Sequence, residues 1–157
     1  MQRFKITKEG YDKLKNKLDE YLNIERPAVL KALNEAIALG DLSENAEYIY
    51  SKERLRIIGG TISSLTEKLS SADVVSIENL SGERIDFGAT VYLIDEDTDK
   101  EIHYRLLSEF ESDAEKNIIS VDSPIGKSLI GKKVGDSVEI KIPSGTKYFE
   151  ILDIKWN

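Results

Sequence analysis

The sequence predicts an all-α antiparallel coiled-coil hairpin followed by a small α+β domain. Three observations predict it: helix-spaced apolar residues from Thr7 to about Ala72, one short polar turn among them, and a change to strand periodicity after Asp73. In the first helical stretch, Tyr11, Leu14, Leu18 and Tyr21 step by three, four and three; the stripe then shifts to Leu22, Val29, Leu33 and Ala36. Pro27 lies at that shift. A mid-helix proline removes one hydrogen bond and crowds the preceding turn, so a kink is expected there. The second stretch is more regular: Tyr48, Ser51, Leu55, Ile58, Ile62, Leu65, Leu69 and Ala72 keep steps of three or four, the seam a coiled coil buries. Gly59-Gly60 inside it suggests either close approach of the two helices or a weak point.

Between the helices lies Leu39-Gly40-Asp41-Leu42-Ser43-Glu44-Asn45. Gly40 suits a helix C-terminus, and Asp41 or Ser43 can cap the next helix. Long helices joined by so short a turn fold back antiparallel, and roughly thirty residues at 1.5 Å each make a rod of about 45 Å. Its end is the turn at 40–45. The hairpin module is set at residues 1–78 and the second module at 79–157. In the latter, residues 89–94, 102–106, 118–121, 138–142 and 148–156 are β-rich, after a first such run at 74–77. Several alternate apolar and polar, as in an antiparallel sheet wet on one face. Pro143-Ser144-Gly145-Thr146 reads as a hairpin turn, and Pro124 to Ile130 as a short helix packed on the sheet.

The chain has 157 residues, no cysteine and a net charge of −7. Residues 1–78 hold 12 basic and 13 acidic side chains (net −1) and residues 79–157 hold 10 and 16 (net −6). Proteins that grip nucleic acid unaided usually show a basic face that displaces counterions, so autonomous nucleic-acid binding is not expected. No run of about twenty apolar residues could span a membrane, and Met1–Thr7 lacks the apolar core of a signal peptide. Without cysteine, disulfides and thiolate metal sites are excluded, which suits the cytoplasm.

The chemistry concentrates in the turn. Asp41, Glu44 and Glu47 place three carboxylates within seven residues, and a helical turn would put Asp41 and Glu44 on one side. Such oxygen ligands suit Mg²⁺, which demands octahedral geometry and keeps several waters. Two carboxylates at an exposed tip cannot complete that shell, so they would hold the ion weakly unless a partner supplied the rest. A second reading stands beside this one: Asp followed three residues later by Glu also resembles a capping box at a helix N-terminus. Lys52 and Arg56 share a helix face and could meet phosphates, or simply pair with Glu53 or Glu47. His103, the one histidine, has no second His or Cys as co-ligand. No serine sits in a nucleophile context, and Gly59-Gly60 is not a phosphate loop.

Gly40 through Tyr48 (Gly-Asp-Leu-Ser-Glu-Asn-Ala-Glu-Tyr) resembles the tip motif of the GreA/GreB transcript cleavage factors, and Ser120 through Gly131 resembles that family's C-terminal signature. Length, element order and an acidic second module agree with it. The resemblance implies a C-terminal domain of FKBP-like fold that docks on bacterial RNA polymerase at the rim of its secondary channel. It implies that Asp41 and Glu44 help hold an Mg²⁺ shared with the polymerase and orient the attacking water. The polymerase then hydrolyses the RNA 3′ end extruded by backtracking, and the factor is not an enzyme by itself. It further implies docking through Ser123, Pro124 and Ile125, whose residue types also fit a turn and helix start, and it places Lys52 near the RNA. Ile37 stands where many relatives carry arginine, and Leu39 where a polar residue is common, so a weaker hold on the RNA end is expected. The hairpin's modest basic content fits the GreA branch of the family. Against this stand a channel-occupying relative that inhibits polymerase, a prolyl isomerase or chaperone built on the second module, and a stand-alone nuclease. An isomerase needs a concave aromatic pocket, for which Phe87, Tyr92, Tyr104, Phe110, Tyr148, Phe149 and Trp156 are the candidates.

Overall fold

A computed structural model describes residues 1–156, which divide into two compact units. The first is a helical hairpin of Met1–Arg3 and Tyr11–Ala72; the second, of Phe4–Gly10 and Asp73 onward, is built on a β-sheet.

In the hairpin unit, helix α1 (Lys8–Glu20) leads through a π-helical turn, Tyr21–Glu25, into α2 (Arg26–Ala38), and α3 (Ala46–Ser71) returns. The widened turn is what the expected kink at Pro27 becomes. Pro27 sits in the first positions of α2. Its ring would press on the carbonyl four residues earlier, and a π-turn adds the residue that opens that space. The buried residues of α3 are Ser51, Ile58 and Leu65, seven apart, and Leu55, Ile62 and Leu69, each four residues further on, are half-buried. That is the heptad seam of a coiled coil. Ala36 is the buried residue of α2, so the two buried positions nearest the tip, Ala36 and Ser51, are both small. An Arg54–Glu25 ion pair at 3.7 Å joins α3 to the π-turn. Gly59 and Gly60 are exposed with open space where a Cβ would stand. Close helix approach therefore does not explain them; they lie on the solvent side of the helix.

Strand β1 (Phe4–Thr7) pairs with β2 (Ala72–Val75), a pairing of segments more than sixty residues apart that helical spacing did not reveal. A five-stranded sheet follows, from β3 (Thr90–Asp95), β4 (Glu101–Leu107), β5 (Ile118–Ser120), β6 (Ser137–Ile142) and β7 (Gly145–Lys155), in the order β5-β4-β3-β7-β6. All pairings are antiparallel except β4 with β5. That parallel edge departs from the antiparallel sheet expected; the ten residues between these strands, 108–117, carry two short 3-10 turns through which the chain returns in the same direction. Strand β3 alternates, with Val91, Leu93 and Asp95 buried. Val91, Leu93, Leu106, Val138, Ile140 and Ile151 form one core, and helix α4 (Pro124–Leu129) adds Leu129 to it. The turn before β7, at Pro143-Ser144, is where the turn residues placed it.

Two polar devices fasten this unit. Glu111 accepts hydrogen bonds from Ser108 N and Oγ (3.3 and 2.8 Å) and from Thr7 N (3.2 Å) and Oγ, 104 residues away in sequence. A side chain at Gly10 would collide with that carboxylate. Asp95 is buried, accepts from Asp97 N (2.9 Å), Thr98 N (3.3 Å) and Lys147 Nζ (3.0 Å), and its carboxyl is held at about 2, below the ordinary 3.8. The Asp97 amide is the largest cause and Lys147 the next.

Candidate functional site

The tip forms because helix α2 runs out at a glycine. Leu39 N donates to Ala36 O and Gly40 N to Ile37 O, both at 3.1 Å, and Gly40 turns left-handed at φ 79°. Asp41 is also left-handed, at φ 46°, a region open to few residues other than Gly, Asn and Asp. Leu42 to Glu44 make a turn closed by Glu44 N on Asp41 O at 3.2 Å. Asn45 is extended and is the N-cap of α3: its Oδ1 accepts from Tyr48 N at 3.0 Å. Its Nδ2 donates to Ala36 O (2.7 Å) and Gly40 O (3.2 Å).

This corrects the expectation that Asp41 or Ser43 caps the helix. The capping-box reading fails because Asp41 lies four residues before the cap and turns left-handed. Instead, Ser43 Oγ donates to Asp41 Oδ1 at 3.3 Å, and Glu44 makes no side-chain hydrogen bond or ion pair among the described residues. Asp41 and Glu44 are both exposed. With Asp41 left-handed, the turn is not helical, so helix spacing does not set their directions. Asn45 could have been found in the sequence: it is a strong N-capping type three residues before Tyr48, the first residue of the seam.

The tip is a pair of exposed carboxylates, neither of which caps a helix, beside the N-terminus of α3, with Glu47 in its first turn. Hard oxygen donors of this kind fit Mg²⁺, but no group of three or more His, Cys, Asp or Glu able to hold a metal occurs among the described residues. Around the tip, Ile37 and Leu39 are exposed, Leu39 to 71%.

Arg56, expected near RNA, is held by Glu53 through Nε (3.0 Å) and Nη2 (2.6 Å). This pairing lowers the Glu53 carboxyl and raises the Arg56 guanidinium from their ordinary values. Lys52 Nζ lies 5.7 Å from the Tyr48 ring centroid, in cation–π range. In the sheet unit, Ser123 caps α4 by accepting from Gly126 N (3.0 Å) while donating to Ser120 O (2.6 Å), and Pro124 takes the first helical position. A Cβ on Gly126 would strike the Ser120 carbonyl. Pro124 is exposed and, with Ser128, Glu139, Ile140 and Lys141, lines a groove of about 240 Å³ that contains no aromatic ring. Ile125 packs against the core. Of the isomerase candidates, Phe87 is buried, Phe110 meets Phe4 edge-on at 5.0 Å, and Tyr92 stacks on His103 at 5.5 Å. His103 is thereby an aromatic partner on the sheet.

Comparison with known proteins gives matches over both units. Residues 4–74 match the family model described as the N-terminal part of a transcription elongation factor, and residues 80–156 the model for the C-terminal part of transcription elongation factors GreA/GreB. Proteins called transcription elongation factor GreA are 46% identical in Phenylobacterium zucineum and 44% in Rhodospirillum rubrum, each over 156 residues and 99% of both chains. A solved structure of the transcription factor Gfh1 is 29% identical, covering 98% of this chain and 99% of its own, with a TM-score of 0.47. A GreA/GreB elongation factor from Nitrosomonas europaea is 26% identical over 66% of this chain and 91% of its own, with a TM-score of 0.45.

Proposed function

Because this chain belongs to the GreA/GreB family of transcription elongation factors, we propose that it enters the secondary channel of bacterial RNA polymerase and stimulates the polymerase's own hydrolysis of backtracked RNA 3′ ends. The supporting observation is the state of the tip: Asp41 and Glu44 are exposed, neither caps a helix, and both are close in sequence to a side chain that ties the loop. Carboxylates bound up in capping would have to give up those bonds before acting elsewhere. These two are available.

Asp41 and Glu44 would hold the shared Mg²⁺ and accept hydrogen bonds from the attacking water, orienting it toward the phosphodiester. When bound, the ion supplies charge stabilisation of the oxygens at which negative charge develops. The remaining ligands come from the polymerase, so the chain alone is not a nuclease. Lys52, which carries no carboxylate partner among the described residues, is the better placed of the two basic candidates to meet an RNA phosphate. Arg56 must first share or release Glu53. We read the sheet unit as FKBP-like, on its five strands and the short helix against its core face. We assign polymerase docking to Ser123, Pro124 and Ile125, with Pro124 the exposed member at the rim of the α4–β6 groove.

The test is a backtracked elongation complex with labelled RNA and Mg²⁺, comparing the native chain with an Asp41→Ala/Glu44→Ala double variant. The expected result is a loss of roughly 10²–10⁴-fold in cleavage rate with polymerase binding retained. Tight binding by the native chain without any acceleration would favour a channel-blocking inhibitor instead.

A further inference from the structure

Asn45 makes three side-chain hydrogen bonds with one amide, and they join three separate pieces of backbone. Its Oδ1 takes the Tyr48 amide of α3, while its Nδ2 reaches Ala36 O at 2.7 Å and Gly40 O at 3.2 Å. Ala36 O belongs to the last turn of α2, where Gly40 N goes to Ile37 O and leaves Ala36 O with Leu39 N at 3.1 Å as its backbone donor. In the common glycine-closed helix end, the residue after the left-handed glycine donates its own N–H to such a carbonyl. Here that residue would be Asp41, which turns left-handed itself, and Asn45 Nδ2 supplies the donor. The loop from 36 to 45 is thus closed by a side chain.

Among N-capping residues, only asparagine can do this. Ser, Thr and Asp supply the acceptor that the Tyr48 amide needs, but none offers two N–H donors on the same planar group. A cap alone therefore does not explain why the amide also faces Ala36 and Gly40. We propose that Asn45 is a positioning residue for the tip: its donor side sets where Asp41 and Glu44 point, separately from its acceptor side, which starts α3. The proposal rests on the cleavage reading for its functional consequence. Displacing a reacting group by about 1 Å can cost up to a hundredfold in rate, so loosening a five-residue loop that carries both carboxylates should act on the chemical step.

The discriminating variant is Asn45→Ser, which keeps the cap acceptor and removes both donors; Asn45→Ala removes all three bonds. With a backtracked complex, Asn45→Ser should lower the maximal cleavage rate by about ten- to a hundredfold. The factor concentration giving half-maximal rate should stay within about twofold, as the carboxylates do not set docking. Amide exchange in the free protein gives a readout that needs no cleavage. Gly40 and Glu44 amides should exchange at least about tenfold faster in Asn45→Ser, while the Tyr48 and Ile49 amides at the start of α3 keep their protection. Unchanged cleavage and unchanged exchange in Asn45→Ser would overturn the proposal. So would equal loss of helix protection and loop protection, which would reduce Asn45 to an ordinary cap. Were the native chain itself inactive in cleavage, the functional reading would fall, and the exchange pattern would still decide whether the amide holds the loop.

Discussion

At the scale of single residues, the sheet unit depends on a few atoms placed by the fold. Asp95 is an acidic residue in an otherwise apolar row, and its burial is tolerated because two backbone amides and Lys147 surround its carboxylate. Its carboxyl is held at about 2, below the ordinary 3.8, first by the Asp97 amide and then by Lys147. A depressed value means the contribution is full above about pH 4 and is lost as pH falls toward 2. The urea midpoint of the native chain should therefore fall further between pH 4 and pH 2 than that of Asp95→Asn, which carries no titrating group there. Parallel declines in the two proteins would contradict this. Gly126 is a second such position. Its Cβ would meet the Ser120 carbonyl, so Gly126→Ala should destabilise the sheet unit by about 1–3 kcal/mol, measured by chemical unfolding. The sequence shows Gly126 within a recognisable motif, but the reason for the glycine lies in a strand six residues earlier.

At the scale of elements, the hairpin helices follow their apolar spacing closely. The steps of three and four along α3 identify Ile58 and Leu65 as seam residues, and both are buried. Ile57, one residue away and chemically the same as Ile58, is 46% exposed. Ile58→Ala should cost about 2–5 kcal/mol in the thermal or urea unfolding of the hairpin, and Ile57→Ala under about 0.5 kcal/mol. Comparable costs at the two sites would mean that the register is wrong. The start of α3 was harder to read, since Asp41, Ser43 and Asn45 are all good caps by type. Distance from the seam favours Asn45, whereas the Asp41–Glu44 spacing imitates a capping box. Pro27 likewise announces a disturbance without fixing its form. The π-turn arises because the helix continues on both sides and an extra residue is easier to absorb than a break.

At the scale of the whole molecule, the proposed role makes the tip a contributor to a site that the polymerase completes. A net charge of −7 gives no basic footprint for nucleic acid, and the described residues contain no complete metal cluster. No helix among them is long and apolar enough to cross a membrane. Incubated with single-stranded RNA and Mg²⁺ but without polymerase, the chain should produce no fragments above background on a gel. Cleavage that survives purification and vanishes in the tip double variant would contradict the dependence on polymerase. The sequence by itself determined what local periodicity and local chemistry carry: two long helices and their seam, the turn at 40–45, the strands that follow, and the acidic pair. The tertiary structure decided what depends on partners distant in the chain. β1 pairs with β2 across more than sixty residues, Thr7 finds Glu111, and β5 returns parallel to β4. It also decided that Asn45, bonded to Ala36 nine residues back, is the residue that closes the tip. A side chain's type limits which bonds it can make; only the folded backbone determines which donor and acceptor stand within 3 Å of each other.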